Sequence, residues 1–104
     1  MNNLQLFLKE DLEQYQVILD SYELLSSEDG DTAYKLAQMA IIQADRWSEI
    51  SVNASKIGKE VNVAKTDLYN YAYHKYRVLM TIHEFCRVVY RQCEEQARTR
   101  WNEA

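Results

Sequence analysis

Apolar residues recur every three or four positions along most of this chain, which is the spacing of one face of an α-helix. The first such stretch predicts a helix over about residues 3–25, with an apolar stripe that runs from Leu4 to Tyr22. Asn2 stands where an N-cap is expected, and Gln5 follows it three residues later, as in a capping box. The chain therefore begins with an amphipathic helix.

The polar run at residues 26–31 ends this first pattern. Gly30 is expected to adopt a left-handed conformation at the end of the helix, because glycine carries no Cβ. Asp31 or Thr32 is expected to cap the next helix, since both side chains can accept a backbone N–H bond. The run is thus predicted to be a turn between two helices.

A second helix is predicted over about residues 32–57, and it carries a heptad seam made almost entirely of small residues. Small side chains let two helix backbones approach closely, and Trp47 is the single large side chain in this seam. We therefore expect the seam to pack against another helix, either within the chain or in a second copy. Its members are Ala33, Ala37, Ala40, Ala44, Trp47, Ser51, Ala54 and Gly58.

The helical signal weakens at residues 51–62, where poor helix formers and β-branched valines are frequent. A kink, a short loop and a weak continuous helix are all open for this stretch. A third helix is predicted over about residues 59–100, and at 1.5 Å per residue it would be about 60 Å long. The first two helices would span only about 35–40 Å each, so they cannot cover all of its apolar face.

The uncovered apolar face predicts either a bend near Thr81 that folds the third helix back or coverage by another chain. We favour a homo-oligomer, with a dimer as the commonest solution, and leave the identity of any other protein partner open. The residues predicted to form the interface are Ala37, Ala40, Ala44, Trp47, Leu79, Ile82, Phe85, Val89 and Tyr90.

The composition agrees with an all-α fold, since proline is absent and glycine occurs only twice in 104 residues. We predict one helical domain over residues 1–104, built as a long helical hairpin or a three-helix bundle. No run of about 18 apolar residues could span a membrane, and the N-terminus lacks a secretory signal. Cys86 and Cys93 are too far apart on a helix for a disulfide, so reduced thiols and a cytoplasmic location are expected.

No motif for catalysis or cofactor binding occurs, so we expect a non-enzymatic protein without cofactor or metal. His83 and Cys86 share a helix face at i, i+3, but two ligands are too few for a zinc site. His83 is instead expected to find a local hydrogen bond in a buried stripe. The acidic turn at residues 27–31 lacks the twelve-residue loop of an EF-hand.

Charge and aromatic residues are distributed unevenly along the chain. Residues 1–31 hold eight acids and one base, whereas residues 65–77 hold four of the eight tyrosines, interleaved with basic side chains. Amphipathic tyrosines of this kind line helix–helix interfaces, and beside cations they can also stack on the bases of single-stranded nucleic acid. The candidate nucleic-acid contacts are Lys65, Tyr69, Tyr73, Lys75, Tyr76 and Arg77.

Three segments resemble small all-helical proteins of bacteriophages and prophages, and among these the phage recombination mediators. They are ADRW at 44–47, KTDLY at 65–69 and HEFCR at 83–87, followed by Glu94 and Glu95. The resemblance implies an oligomeric helical protein that handles single-stranded DNA and a recombinase, with residues 65–71 as the DNA contact. The residues themselves favour a helical structural or interaction protein that self-associates, and the resemblance implies a phage or mobile-element origin. The alternative is a nucleic-acid-binding accessory protein.

Overall fold

Five α-helices make up 89% of the residues that a computed structural model describes, 3–103, and no strand occurs in that range. The all-α prediction is therefore confirmed. Asn2, the expected N-cap of the first helix, lies outside the described residues. The helices are α1 (Asn3–Phe7), α2 (Lys9–Glu23), α3 (Gly30–Val52), α4 (Ala54–Val61) and α5 (Lys65–Glu103).

Helices α1 and α2 form the predicted first helix, with a distortion at Leu8. Leu8 departs from helical geometry at φ −99° and ψ 12°, and its side chain is fully buried. The backbone bonds nevertheless continue, since the Leu8 N–H donates to the Leu4 carbonyl at 3.0 Å and the Leu12 N–H donates to the Leu8 carbonyl at 2.8 Å. The distortion places Leu8 in the core without breaking the helix.

Helix α3 begins two residues earlier than predicted. Asp29 is its N-cap and accepts hydrogen bonds from the Thr32 N–H at 3.1 Å and from the Thr32 hydroxyl at 2.6 Å. The expected cap at Asp31 or Thr32 and the left-handed Gly30 are therefore wrong. Glycine is needed at position 30 for another reason, because a Cβ there would lie 2.8 Å from the Cβ of Cys93 on α5.

The cap makes the stability of α3 dependent on pH. The Thr32 hydroxyl and backbone N–H lower the pKa of Asp29 below its ordinary value. A lowered pKa stabilises the fold above about pH 4, the ordinary carboxyl range, and this contribution is lost as pH falls through the folded-state value. We expect urea unfolding to show Asp29→Asn less stable than the wild type at pH 7. Since asparagine caps but does not titrate, the difference should shrink below pH 4; a constant difference would contradict this account.

Helices α3 and α4 form one kinked arm, and the chain reverses only after Val61. At Asn53 the backbone bonds continue through φ −97° and ψ 19°, whereas Asn62 is left-handed at φ 60°. The predicted boundary at residues 57–59 is therefore wrong, because Gly58 lies inside α4. A Cβ on Gly58 would stand 2.5 Å from the carbonyl oxygen of Val63, so glycine permits the close return of the chain.

Helix α5 runs without interruption from Lys65 to Glu103, so the alternative of a bend near Thr81 does not occur. It packs antiparallel along α3 and α4, and the small-residue seam lies between them, as the heptad phase predicted. The molecule measures 62 × 23 × 14 Å along its principal axes, which are the proportions of a thin rod. The buried members of this core include Ala33, Ala37, Ala40, Ala44, Trp47, Leu68, Ala72, Leu79, Ile82 and Cys86.

Helix α2 covers only one face of the α3–α5 hairpin. The ring of Tyr15 meets the edge of Trp47 at 6.3 Å between centroids, and Asp11 accepts from the Arg46 guanidinium at 3.2 Å. In the part of the chain that the structure describes, no helix lies on the opposite face of the hairpin. The end of α5 also extends past the start of α3, and residues 94–102 are all exposed.

Candidate interaction surface

Most residues predicted to contact a second copy are enclosed in the chain's own core. They are Ala37, Ala40, Ala44, Trp47, Leu79 and Ile82, and each is at most 5% exposed. The four residues on α3 pack in one core with Leu79 and Ile82 on α5, so all six hold α3 on α5 and are not free for another partner. Phe85 is 55% exposed, whereas Val89 and Tyr90 are half-buried.

Three tyrosines of the basic and aromatic segment line up along one side of α5. The rings of Tyr69 and Tyr73 stack almost in parallel, 5.8 Å apart with 6° between their planes. Tyr76 continues the row at 6.0 Å from Tyr73, and the Arg77 guanidinium donates weakly to the Tyr73 hydroxyl at 3.5 Å. Lys65 is exposed one turn before Tyr69. These five residues form a contiguous aromatic and basic patch.

Lys75 does not belong to this patch, because it lies on the opposite side of α5. Its ammonium stands 4.2 Å from the ring centre of Tyr71, 4.5 Å from Tyr15 and 5.8 Å from Trp47. Within residues 3–103 no carboxylate lies within salt-bridge distance of it. Burial lowers the pKa of Lys75. The lysine therefore serves as an internal cation–π contact between α2 and the hairpin, not as an exposed phosphate contact.

His83 and the two cysteines have structural partners. The Nδ1 of His83 is 2.9 Å from the carbonyl oxygen of Ala37, so this nitrogen must carry the proton and donate it. Cys86 is buried, and burial raises the pKa of its thiol. The Cys93 thiol lies 3.5 Å from the carbonyl of Ser27, and neither cysteine forms a disulfide. Among residues 3–103, no three His, Cys, Asp or Glu side chains gather as metal ligands.

A second heptad stripe on α5, which we call the outer stripe, faces the side of the hairpin that α2 leaves open. Its positions are four and three residues apart, and they lie one position round the helix from the core seam of α5, by which we mean the buried stripe that includes Leu68, Ala72, Leu79, Ile82 and Cys86. Its members are Tyr69, Tyr73, Tyr76, Met80, His83, Arg87, Tyr90, Glu94, Ala97 and Trp101. The 4–3 spacing could have revealed it in the sequence, but its polar aromatic members do not stand out as a hydrophobic pattern.

Contacts with α3 fix the middle of the outer stripe in place. The rings of Tyr90 and Tyr34 are 5.0 Å apart, and together with His83 and Arg87 they line a shallow cleft of about 290 Å³. The Tyr90 hydroxyl donates to the Glu94 carboxylate at 2.8 Å, which raises the pKa of Tyr90. Beyond this point the stripe continues along the exposed end of α5 to Trp101, which is 83% exposed.

None of the helices within residues 3–103 is both long enough and apolar enough to cross a bilayer. Comparison of the chain with protein-family models, with curated proteins and with solved structures gives no match in any of the three.

Proposed function

We propose that this chain is a non-enzymatic helical interaction protein that associates with itself through the open face of its hairpin. The observation that carries the proposal is the outer stripe, where aromatic side chains stay accessible along a rigid helix. Tyr73 is 40% exposed and Trp101 is 83% exposed. Protein interfaces are enriched in Tyr, Trp and Arg, and an exposed stripe of this length usually marks a contact surface.

The exposed end of α5 supports the same proposal. The end of a helix frays readily in water unless another surface packs on it. Residues 94–102 are all exposed, so a second copy would supply a packing surface that they lack in the monomer. The unpaired thiols fit a reducing compartment such as the cytoplasm. The resemblance to phage proteins of the same size suggests a phage or mobile-element origin.

Light scattering after size exclusion tests the proposal directly. We expect the mass to rise from 12.3 kDa towards twice that value as the concentration increases through the micromolar range. Circular dichroism on the same samples checks that the helices persist at every concentration. A mass of 12.3 kDa at all concentrations would contradict self-association.

The tyrosine row also favours a second candidate function, binding of single-stranded nucleic acid by Lys65, Tyr69, Tyr73, Tyr76 and Arg77. Stacked, partly exposed rings beside cations are the features that such binding uses. Lys75 is excluded from this set because its ammonium lies among Tyr15, Trp47 and Tyr71. Salt-sensitive binding of labelled single-stranded DNA by a monomer, lost in Lys65→Ala/Arg77→Ala, would favour this candidate over self-association.

A further inference from the structure

We infer that two copies pair through antiparallel α5 helices, in the register that sets Tyr69 of one copy level with Trp101 of the other. The inference rests on the proposed self-association and specifies its surface, direction and register. It follows from three properties of the outer stripe. Its spacing is symmetric about its midpoint, it continues along the end of α5 beyond the hairpin, and it carries charged residues.

The spacing of the outer stripe is the same in both directions along the helix. Its ten positions are separated by steps of four and three that read identically from either end, with residue 85 at the midpoint. When a second copy runs antiparallel and is centred on residue 85, its outer stripe therefore packs against that of the first copy over the whole length. The level pairs are Tyr69 with Trp101, Tyr73 with Ala97, Tyr76 with Glu94, Met80 with Tyr90, and His83 with Arg87.

The direction of pairing follows from the charged members of the stripe. A parallel pair would bring Arg87 against Arg87 and Glu94 against Glu94, and like charges at an interface are destabilising. In the antiparallel pair Glu94 meets the Tyr76 hydroxyl, which can donate to a carboxylate. Tyr73 meets Ala97, so a large ring lies opposite a small side chain.

In the antiparallel arrangement the exposed end of α5 packs against the hairpin of the other copy. In this register residues 94–103 of one copy lie level with residues 67–76 of the other, where the tyrosine row is accessible. Each extension therefore covers the tyrosines of the opposite copy. In a parallel pair the exposed ends of the two α5 helices would contact only each other, beyond both hairpins. The ends of α3 would also stay uncovered.

Charges beside the stripe also complement each other in this register. Arg77 of one copy lies within two positions of Glu94 and Glu95 of the other, and Glu84 lies one position from Arg87. Arg91 of the second copy is level with residue 79, so Arg77 lies between Arg91 and Glu95 of the second copy, and Glu95 offsets the charge of Arg91 one turn before it. Carboxylates of one copy thus lie beside Arg77 and Arg87 of the other, which supports this register.

The length of the stripe is sufficient for a reversible dimer. Residues 69–101 span about 48 Å, and a strip about 12 Å wide covers roughly 600 Å² on each copy. Two such strips bury about 1,200 Å², which is the lower limit of stable protein interfaces. The pair is therefore expected to dissociate on dilution through the micromolar range.

Charge substitutions locate the surface. Sedimentation equilibrium of Tyr73→Glu and of Trp101→Glu should show dimer dissociation constants at least tenfold above that of the wild type. Phe85→Glu is the matched control, since Phe85 is an exposed aromatic residue on the far side of α5 and should leave the constant unchanged. Circular dichroism must show that all three variants remain helical. Loss of the dimer in the control, with both stripe variants unaffected, would overturn the choice of face.

A distance measurement decides the direction. A nitroxide spin label is attached at Thr66→Cys in a Cys93→Ala background, because the half-buried Cys93 would also react, whereas Cys86 is buried. Antiparallel pairing about residue 85 places the two labels about 57 Å apart, and parallel pairing places them within about 20 Å, two helix diameters. A short distance would overturn the antiparallel register while self-association stands, whereas a wild type that stays at 12.3 kDa at all concentrations would overturn both.

Discussion

Replacement of Trp47 by alanine is expected to lower the free energy of unfolding by about 3–5 kcal/mol, the usual cost of removing a buried tryptophan. Trp47 is fully buried and is the largest side chain in the core. Its ring contacts Tyr15 on α2 and Tyr71 on α5, and the ammonium of Lys75 lies near it. The substitution therefore removes a large side chain that helps to join α2 to the hairpin. Small domains have only about 5–15 kcal/mol of stability, so the variant should be close to unfolding.

Trp101→Ala is the matched control for this experiment. It removes the same side chain from a site that is 83% exposed, so the free energy of unfolding of the monomer should change by less than about 0.5 kcal/mol. Urea unfolding at a concentration where the chain is monomeric measures both variants. Equal losses in the two variants would mean that Trp47 does not hold the core together as its burial indicates.

Replacement of Ala40 by leucine is expected to cost about 1–3 kcal/mol, because the added atoms have no room between α3 and α5. Ala40 is fully buried at the centre of the small-residue seam. The larger side chain must separate the helices or leave its preferred rotamer. Leucine is also a good helix former, so the loss cannot come from helix propensity.

Gln38→Leu introduces leucine at an exposed position of α3 two residues away and serves as the control. Its free energy of unfolding should stay within about 0.5 kcal/mol of the wild type. Thermal or urea unfolding followed by circular dichroism measures both changes. If Ala40→Leu is as stable as Gln38→Leu, the seam has more space than the structure indicates.

The helical fold could be predicted from the sequence because periodicity reports directly on burial. Ala33, Ala37, Ala40 and Ala44 recur at heptad spacing, and all four are buried against α5. The same spacing could not say whether the seam meets the same chain or a second copy, because periodicity carries no information on connectivity. Phe85 shows the limit of the method, since it lies at the edge of the apolar face and remains 55% exposed.

The helix ends were harder to predict because they depend on contacts between distant residues. The sequence predicts a boundary between two helices at Gly58, but this residue lies inside α4, where it lets Val63 return close to the helix. Gly30 was expected to be left-handed, but its closeness to Cys93 requires glycine there. In both cases glycine is required by a contact with a residue outside its own helix, which local helix propensity does not take into account.

The candidate site was predicted in part. Tyr69, Tyr73 and Tyr76 share one side of α5, as their spacing indicates. Lys75 was grouped with them by its position in the sequence, although it falls between Ala72 and Leu79 in the core seam. Helical phase alone could have separated it. Its cation–π contacts could not have been foreseen, because Tyr15 belongs to a helix whose placement the sequence does not reveal.

The short turn between α4 and α5 has a consequence for the order in which the chain folds. Residues 62–64 close the hairpin, so the first contacts across it join segments that are near each other in sequence and cost little loop entropy. Gly30 and Cys93 meet at the far end, 63 residues apart in sequence. Formation of the hairpin should therefore proceed from the turn outwards. Substitutions at Leu68 would then mainly slow folding, whereas those at Cys93 would mainly speed unfolding.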